Sequence, residues 1–169
     1  LTPLGQIAIA QKTITNTHDP YLNIIEEAFS AEHAVEVHLP FLQLTLGNFS
    51  LIPLIVGPTA VINVENIMEK LWGGPETLVV ISSDLSHYHP YKTAQEWDKK
   101  TAEAIVNLNP DGFSHDNACG ATPIKALLGV AAKKEMHVTQ IDLRNSGDTA
   151  GPRDSVVGYG AFHLTGFRF

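Results

Sequence analysis

Cysteine is nearly absent: Cys119 stands alone in a chain of 169 residues. An internal disulfide is therefore excluded, and the usage fits a reducing, cytoplasmic setting. No apolar run approaches the roughly 20 residues needed to span a bilayer. No secretory leader is visible either. Lys and Arg total 11 against 18 Asp and Glu, for a formal net charge of −7, and the basic residues form no block. Neither nucleic acid nor an anionic membrane is an expected partner of such a chain. Several motifs are missing as well. There is no GxSxG elbow for a serine hydrolase. There is no Walker or GxGxxG phosphate loop, and no CxxC or HExxH spacing for a self-contained metal site. Internal repeats and low-complexity tracts are absent.

What remains is an ordinary globular composition, 44% hydrophobic and 17% charged. The length fits one domain over residues 1–169, able to bury roughly two thirds of the surface its unfolded form exposes. The chain opens on Leu1, not Met, and runs straight into Thr2, Pro3, Leu4 and Gly5. This leads us to expect that the N-terminal part of a longer protein is absent.

The stretch with the most chemistry follows residue 77. Thr77 to Ile81 is an apolar run of strand type that stops abruptly at Ser82, Ser83, Asp84, Ser86, His87, Tyr88 and His89, closed by Pro90. In an open α/β sheet, ligands gather at the carboxyl ends of buried strands. A strand ending in an acid, serine hydroxyls and two imidazoles fits that place. The bland alternative is a polar turn that contains histidines.

Around it the chain alternates strands and helices. Gln6 to Ala10 is short and apolar, a strand. Thr13 to Asp19 is polar and irregular. Asp19 and Pro20 mark a helix start, with Leu22, Ile25 and Phe29 at helical spacing. A polar turn from Ser30 to about Glu36 leads into a helix that ends at Gly47. Leu51 to Val56 reads as a buried strand, Asn63 to Trp72 as a helix, and Lys92 to Leu108 as the longest helix, with Ala94, Trp97, Ala102, Ile105 and Leu108 on one face. Pro123 to Lys134 is a further helix. His137 to Leu143 and Val156 to Leu164 are strands, a pair that can run antiparallel. Helices between strands imply an α/β fold with a mainly parallel or mixed central sheet covered by helices.

Cys119 and Gly120 lie just before the helix that Thr122 would cap. A thiol near a helix N-terminus sits in positive potential, and thiolate is both a nucleophile and a metal ligand. A small buried cysteine that fills space is the plain alternative. Glu32, His33, Glu36 and His38 lie in or beside a helix start, where a solvated turn explains them equally well. Spacing alone does not bring His33, His87 and Cys119 together.

These residues nevertheless resemble a known pattern. Glu32, His33, Glu36, Leu39 and Pro40 resemble the EHxxExxLP stretch of the Memo family, also called protein B of the AmmeMemoRadiSam system. Ser82 to His87 is similar to its SSDxSH motif, and Ala118, Cys119 and Gly120 to its CG motif before a helix. Asp154 to Ala161 resembles its closing strand. The segments span nearly the whole chain in the family's order. The resemblance implies a fold like that of the LigB-type extradiol dioxygenases. It implies Cys119 as a metal ligand in place of the dioxygenases' carboxylate. It also implies Asp84, His87 and His33 as pocket residues, His87 at the general-base position. The family's two N-terminal His ligands would lie in HAG and GPxH motifs that this sequence lacks, so the chain looks like the last two thirds of such a domain.

The activity implied is metal-linked redox chemistry, with iron or copper as the expected metal, weakly held if at all by this chain as it stands. A small molecule or a peptide would occupy the pocket. The alternatives are a non-catalytic adaptor that recognises a peptide or modified side chain, and an accessory role beside a radical-SAM protein.

Overall fold

The computed structural model describes residues 2–30 and 32–166. Its backbone contacts cluster into two compact units, Leu1–Pro58 and Thr59–Phe169.

In the first unit a two-residue strand β1 (Ala8–Ile9) pairs in parallel with β2 (Ser50–Leu51). Between them lie two helices, α1 (Gln11–Asn16) and α2 (Leu39–Leu46). α2 takes Pro40 in its first turn, where no N–H is missed, and stops at Gly47 with φ 70°. That left-handed conformation is one that glycine adopts without steric cost. α1 falls where the sequence reads as irregular.

The helix expected after Asp19 and Pro20 does not form. Asp19 instead closes a turn on itself: its Oδ1 accepts the Tyr21 N–H at 2.9 Å, and its carbonyl accepts the Leu22 N–H at 3.1 Å. Such local bonds compete with helix propagation. Only a 3₁₀ turn, Glu26–Phe29, follows. Ile24 and Ile25 are 70% and 54% exposed, so the apolar stripe has no surface that would fix it as a helix.

The second unit is a mixed α/β body. Its elements are α3 (Val61–Leu71), β3 (His87–His89), α4 (Tyr91–Val106), α5 (Ala121–Lys133), β4 (His137–Asn145) and β5 (Val156–Thr165). β5 is the middle strand of an antiparallel sheet of order β3-β5-β4. The long pairing with β4 runs from His137 opposite Thr165 to Asn145 opposite Gly158, with a bulge between Gln140 and Asp142. The α/β class is thus as expected, with a small parallel pair in one unit and an antiparallel sheet in the other.

Two apolar clusters hold this unit together. One gathers Leu85, Ile105, Phe113, Leu128 and Val138. The other gathers Met68, Ala126 and Val130 between α3 and α5. Lys133 Nζ ties the same two helices, at 2.5 Å from Glu65 Oε1 and 2.9 Å from Glu69 Oε1. Among the described residues no helix is long and apolar enough to cross a membrane.

The apolar run from Thr77 is not a ladder strand. Val79 and Ile81 pack against the core, while Leu78 and Val80 point outward. Residues 78–81 make no backbone hydrogen bond to another described residue. Pairing begins only at Leu85, whose N–H donates to Gly158 O at 2.9 Å; the Gly158 N–H returns to Ser86 O at 2.8 Å.

Candidate functional site

Where the apolar run turns polar it meets the start of α5. Ser83 Oγ accepts the Gly120 N–H at 2.8 Å and donates to Asp84 O at 2.6 Å. The Asp84 N–H points at Cys119 Sγ, 3.2 Å away, and Ser83 Oγ lies 3.6 Å from the same sulfur. This close approach depends on Gly120. A Cβ there would sit 2.7 Å from Ser83 Cβ and 3.1 Å from Ser82 O. The glycine before the helix is therefore required by space.

His87 completes the cluster from the first residue of β3. Its Nε2 is 3.4 Å from Asp84 Oδ2, a long contact that a small rotation would tighten. One donor atom each from Asp84, His87 and Cys119 lie within 4.8 Å of one another. Cys119 is exposed, and the His87 and Asp84 side chains are 32% and 48% exposed. The three form an open surface cluster within one unit. Sequence spacing alone did not require residues 84 and 119 to meet; a hydroxyl bridge and one glycine bring them together.

His33 is placed in the first unit, exposed, in the turn before α2. Its N–H donates to Glu32 Oε1 at 2.7 Å, an acid-capped turn.

One buried carboxylate behind the cluster escaped the sequence reading. Asp98, 2% exposed on α4, accepts the Ser86 N–H at 2.9 Å through Oδ1. Its Oδ2 and the Ser86 hydroxyl have no hydrogen-bond partner among the described residues. Gly158 makes room for it, since a Cβ there would lie 2.0 Å from Oδ2. Burial pushes the Asp98 carboxyl above its ordinary pKa, opposed by the Ser86 N–H and by the nearby His89 and His87. The signal was available: Asp98 is four residues from both Ala94 and Ala102, on the buried face of the helix.

β3 itself is irregular. Tyr88 adopts φ 60° at the register shift between His87 and His89. A bulge of this kind re-aims the flanking side chains. His89 packs its ring against Trp97, centroids 4.6 Å apart, while His87 stays beside Asp84.

Comparison with known proteins places the chain in a family. The family model described as "Memo-like protein" matches residues 1–163. A MEMO1 family protein of Methanosarcina barkeri is 33% identical over 95% of this chain and 65% of its own length. One from Ignicoccus hospitalis is 34% identical over 95% of this chain and 61% of its own. A third, from Thermoplasma volcanium, is 32% identical over 94% and 62%. The chain thus spans somewhat under two thirds of the length of these relatives. With the family model matching from residue 1 to residue 163, the chain belongs to the Memo-like family.

Proposed function

We propose that the cluster of Asp84, His87 and Cys119 is a metal-linked redox site for iron or copper. The observation that carries this reading is the meeting of three unlike donors, O, N and S, within 4.8 Å. Ligands of one first-row ion lie about 2.0–2.3 Å from it, so two of them are at most about 4.6 Å apart. A slight adjustment of the half-exposed Asp84 or His87 side chain meets that limit, so the donor set fits a single ion. A thiolate with an imidazole suits copper or iron, and the carboxylate hardens the set toward iron. Bound there, the metal would supply electron transfer and Lewis acidity.

The chain's own residues do the rest. The Asp84 N–H and the Ser83 hydroxyl orient the sulfur. Asp84 Oδ2 faces His87 Nε2 and selects the tautomer that carries its proton there. Nδ1 is then the nitrogen that carries the lone pair, the one open to the ion. A lone exposed thiol is best preserved in a reducing cytoplasm. The substrate would be a small molecule able to reach an open surface site.

Anaerobic reconstitution with ferrous or cuprous ion, followed by metal analysis and oxygen uptake on a catechol panel, tests the proposal. The expected result is near-stoichiometric metal that Cys119→Ala abolishes. Metal content indifferent to Cys119 would reject the site. Retained peptide binding without metal would favour the adaptor reading.

A further inference from the structure

We propose that Asp98 is a positioning residue for the metal cluster: from α4 it fixes the backbone between Asp84 and His87, so that both donors meet Cys119. The inference rests on the reading of that cluster as a metal site and names a further residue the site needs.

Asp98 is costly where it stands. It shares the buried face of α4 with Ala94, Thr101, Ala102 and Ile105, and is 2% exposed. Taking a carboxylate out of water is expensive unless its oxygens find donors. Here Oδ1 finds one, the Ser86 N–H at 2.9 Å, and Oδ2 finds none among the described residues. An apolar side chain would pack this face more favourably. What it could not do is accept a hydrogen bond from the backbone.

That bond falls at the middle of the site. Asp84 and His87 carry two of the three donors, and Ser86 lies between them in the chain. The Leu85 N–H and the Ser86 carbonyl are both engaged by Gly158, at 2.9 and 2.8 Å. The Ser86 N–H makes no backbone bond to another described residue, so Asp98 is what holds it. α4 grips the far side of His87 as well, where Trp97 packs on the His89 ring. Between these two anchors Tyr88 takes φ 60°, a conformation that costs a bulky residue free energy. Such strain persists only where the surroundings over-determine it. Trp97 and Asp98, adjacent on α4, supply that constraint from the helix side.

With Ser86 held, His87 meets Asp84 through Nε2 and leaves Nδ1 to the ion. Without the acceptor, the buried N–H must find another partner. The segment then shifts to give it one, and the two donors lose their common geometry.

The variants Asp98→Asn, Asp98→Ala and Asp98→Leu test this in two measurements. Asn keeps an acceptor and removes the charge. Ala and Leu remove both, Leu with little change of volume, and cooperative thermal unfolding identifies which of them is folded. The first measurement uses metal-free protein. Nitrogen-15 NMR of the His87 ring, above the ordinary imidazole pKa, reads its tautomer. Wild type and Asp98→Asn are expected to hold the proton on Nε2, whereas Asp98→Ala and Asp98→Leu should show a mixture. The second is the ferrous ion concentration that protects Cys119 from iodoacetamide. It should rise at least about tenfold in Asp98→Ala and Asp98→Leu, and stay within about twofold of wild type in Asp98→Asn. The proposal is overturned if a folded Ala or Leu variant keeps the wild-type tautomer or the wild-type ferrous affinity. It is equally overturned if Asp98→Asn behaves as they do, since charge and not the hydrogen bond would then be decisive. A wild type that binds no ferrous ion would reject the metal reading instead, and the tautomers alone would decide for or against Asp98.

Discussion

Gly120 and Asp98 bear on the site without being part of the donor set. Gly120 lets the start of α5 touch Ser82 and Ser83, with no room for a Cβ. Gly120→Ala must push that backbone away, against Ser82 O as well as a side chain. We expect a loss of about 1–3 kcal/mol in stability, the usual cost of overpacking; an unchanged urea midpoint would contradict the packing described. Asp98 makes a different prediction, because its carboxyl is held above the ordinary pKa by burial. The folded state then binds a proton more tightly than the unfolded chain does. Asp98 therefore costs nothing below its unfolded pKa of about 4. It costs progressively more as pH rises from there through its raised folded value. Asp98→Asn keeps an acceptor for the Ser86 N–H and removes the titration. Relative to this variant, the wild type should lose stability as pH rises from about 4 to 7. A difference that is flat, or that grows in favour of the wild type, would be the wrong sign. Asp98→Ala orphans the Ser86 N–H and should cost about 1–3 kcal/mol at any pH.

At the scale of elements, α3 and α5 are joined by apolar packing and by Lys133 between Glu65 and Glu69. Glu65 is nearly buried and Lys133 is the cation beside it, so removing the lysine alone leaves a buried carboxylate without its partner. Lys133→Met should lower the thermal midpoint more than the double change Lys133→Met with Glu65→Gln, which leaves no unpaired charge. Equal losses would mean that the ion pair contributes only packing. The helices of this unit were legible in the sequence because each buries one stripe: Ala94, Ala102 and Ile105 on α4 recur at helical spacing and are all buried. β5 was legible by alternation in period two, with Val156, Gly158, Phe162 and Leu164 on its more buried side, whereas the burial of β4 does not alternate across its bulge. The segment after Asp19 was not. Its periodic Leu22, Ile25 and Phe29 invite a helix, but Asp19 bonds the next two amides and nothing covers the stripe. Thr77 to Ile81 was half legible. The alternate facing of its side chains was readable, whereas strand pairing depends on a neighbour that no local pattern encodes.

For the whole molecule, motifs far apart in sequence converge. Asp84 and Cys119 are 35 residues apart and touch through a backbone N–H and a sulfur. That contact could be anticipated only by resemblance to the family, since no spacing rule links the two segments. The buried Asp98 behind them could have been found from helical periodicity alone. His33 belongs to the first unit, where it is part of an acid-capped turn.

The central claim is that Asp84, His87 and Cys119 hold one metal ion between them. The lone, exposed Cys119 makes this directly measurable through its rate of alkylation, with no background from other thiols. Under anaerobic conditions, ferrous or cuprous ion should protect Cys119 from iodoacetamide in the wild type, at lower metal concentration than in His87→Ala or Asp84→Ala. Protection that is absent in the wild type, or identical in all three proteins, would contradict the claim.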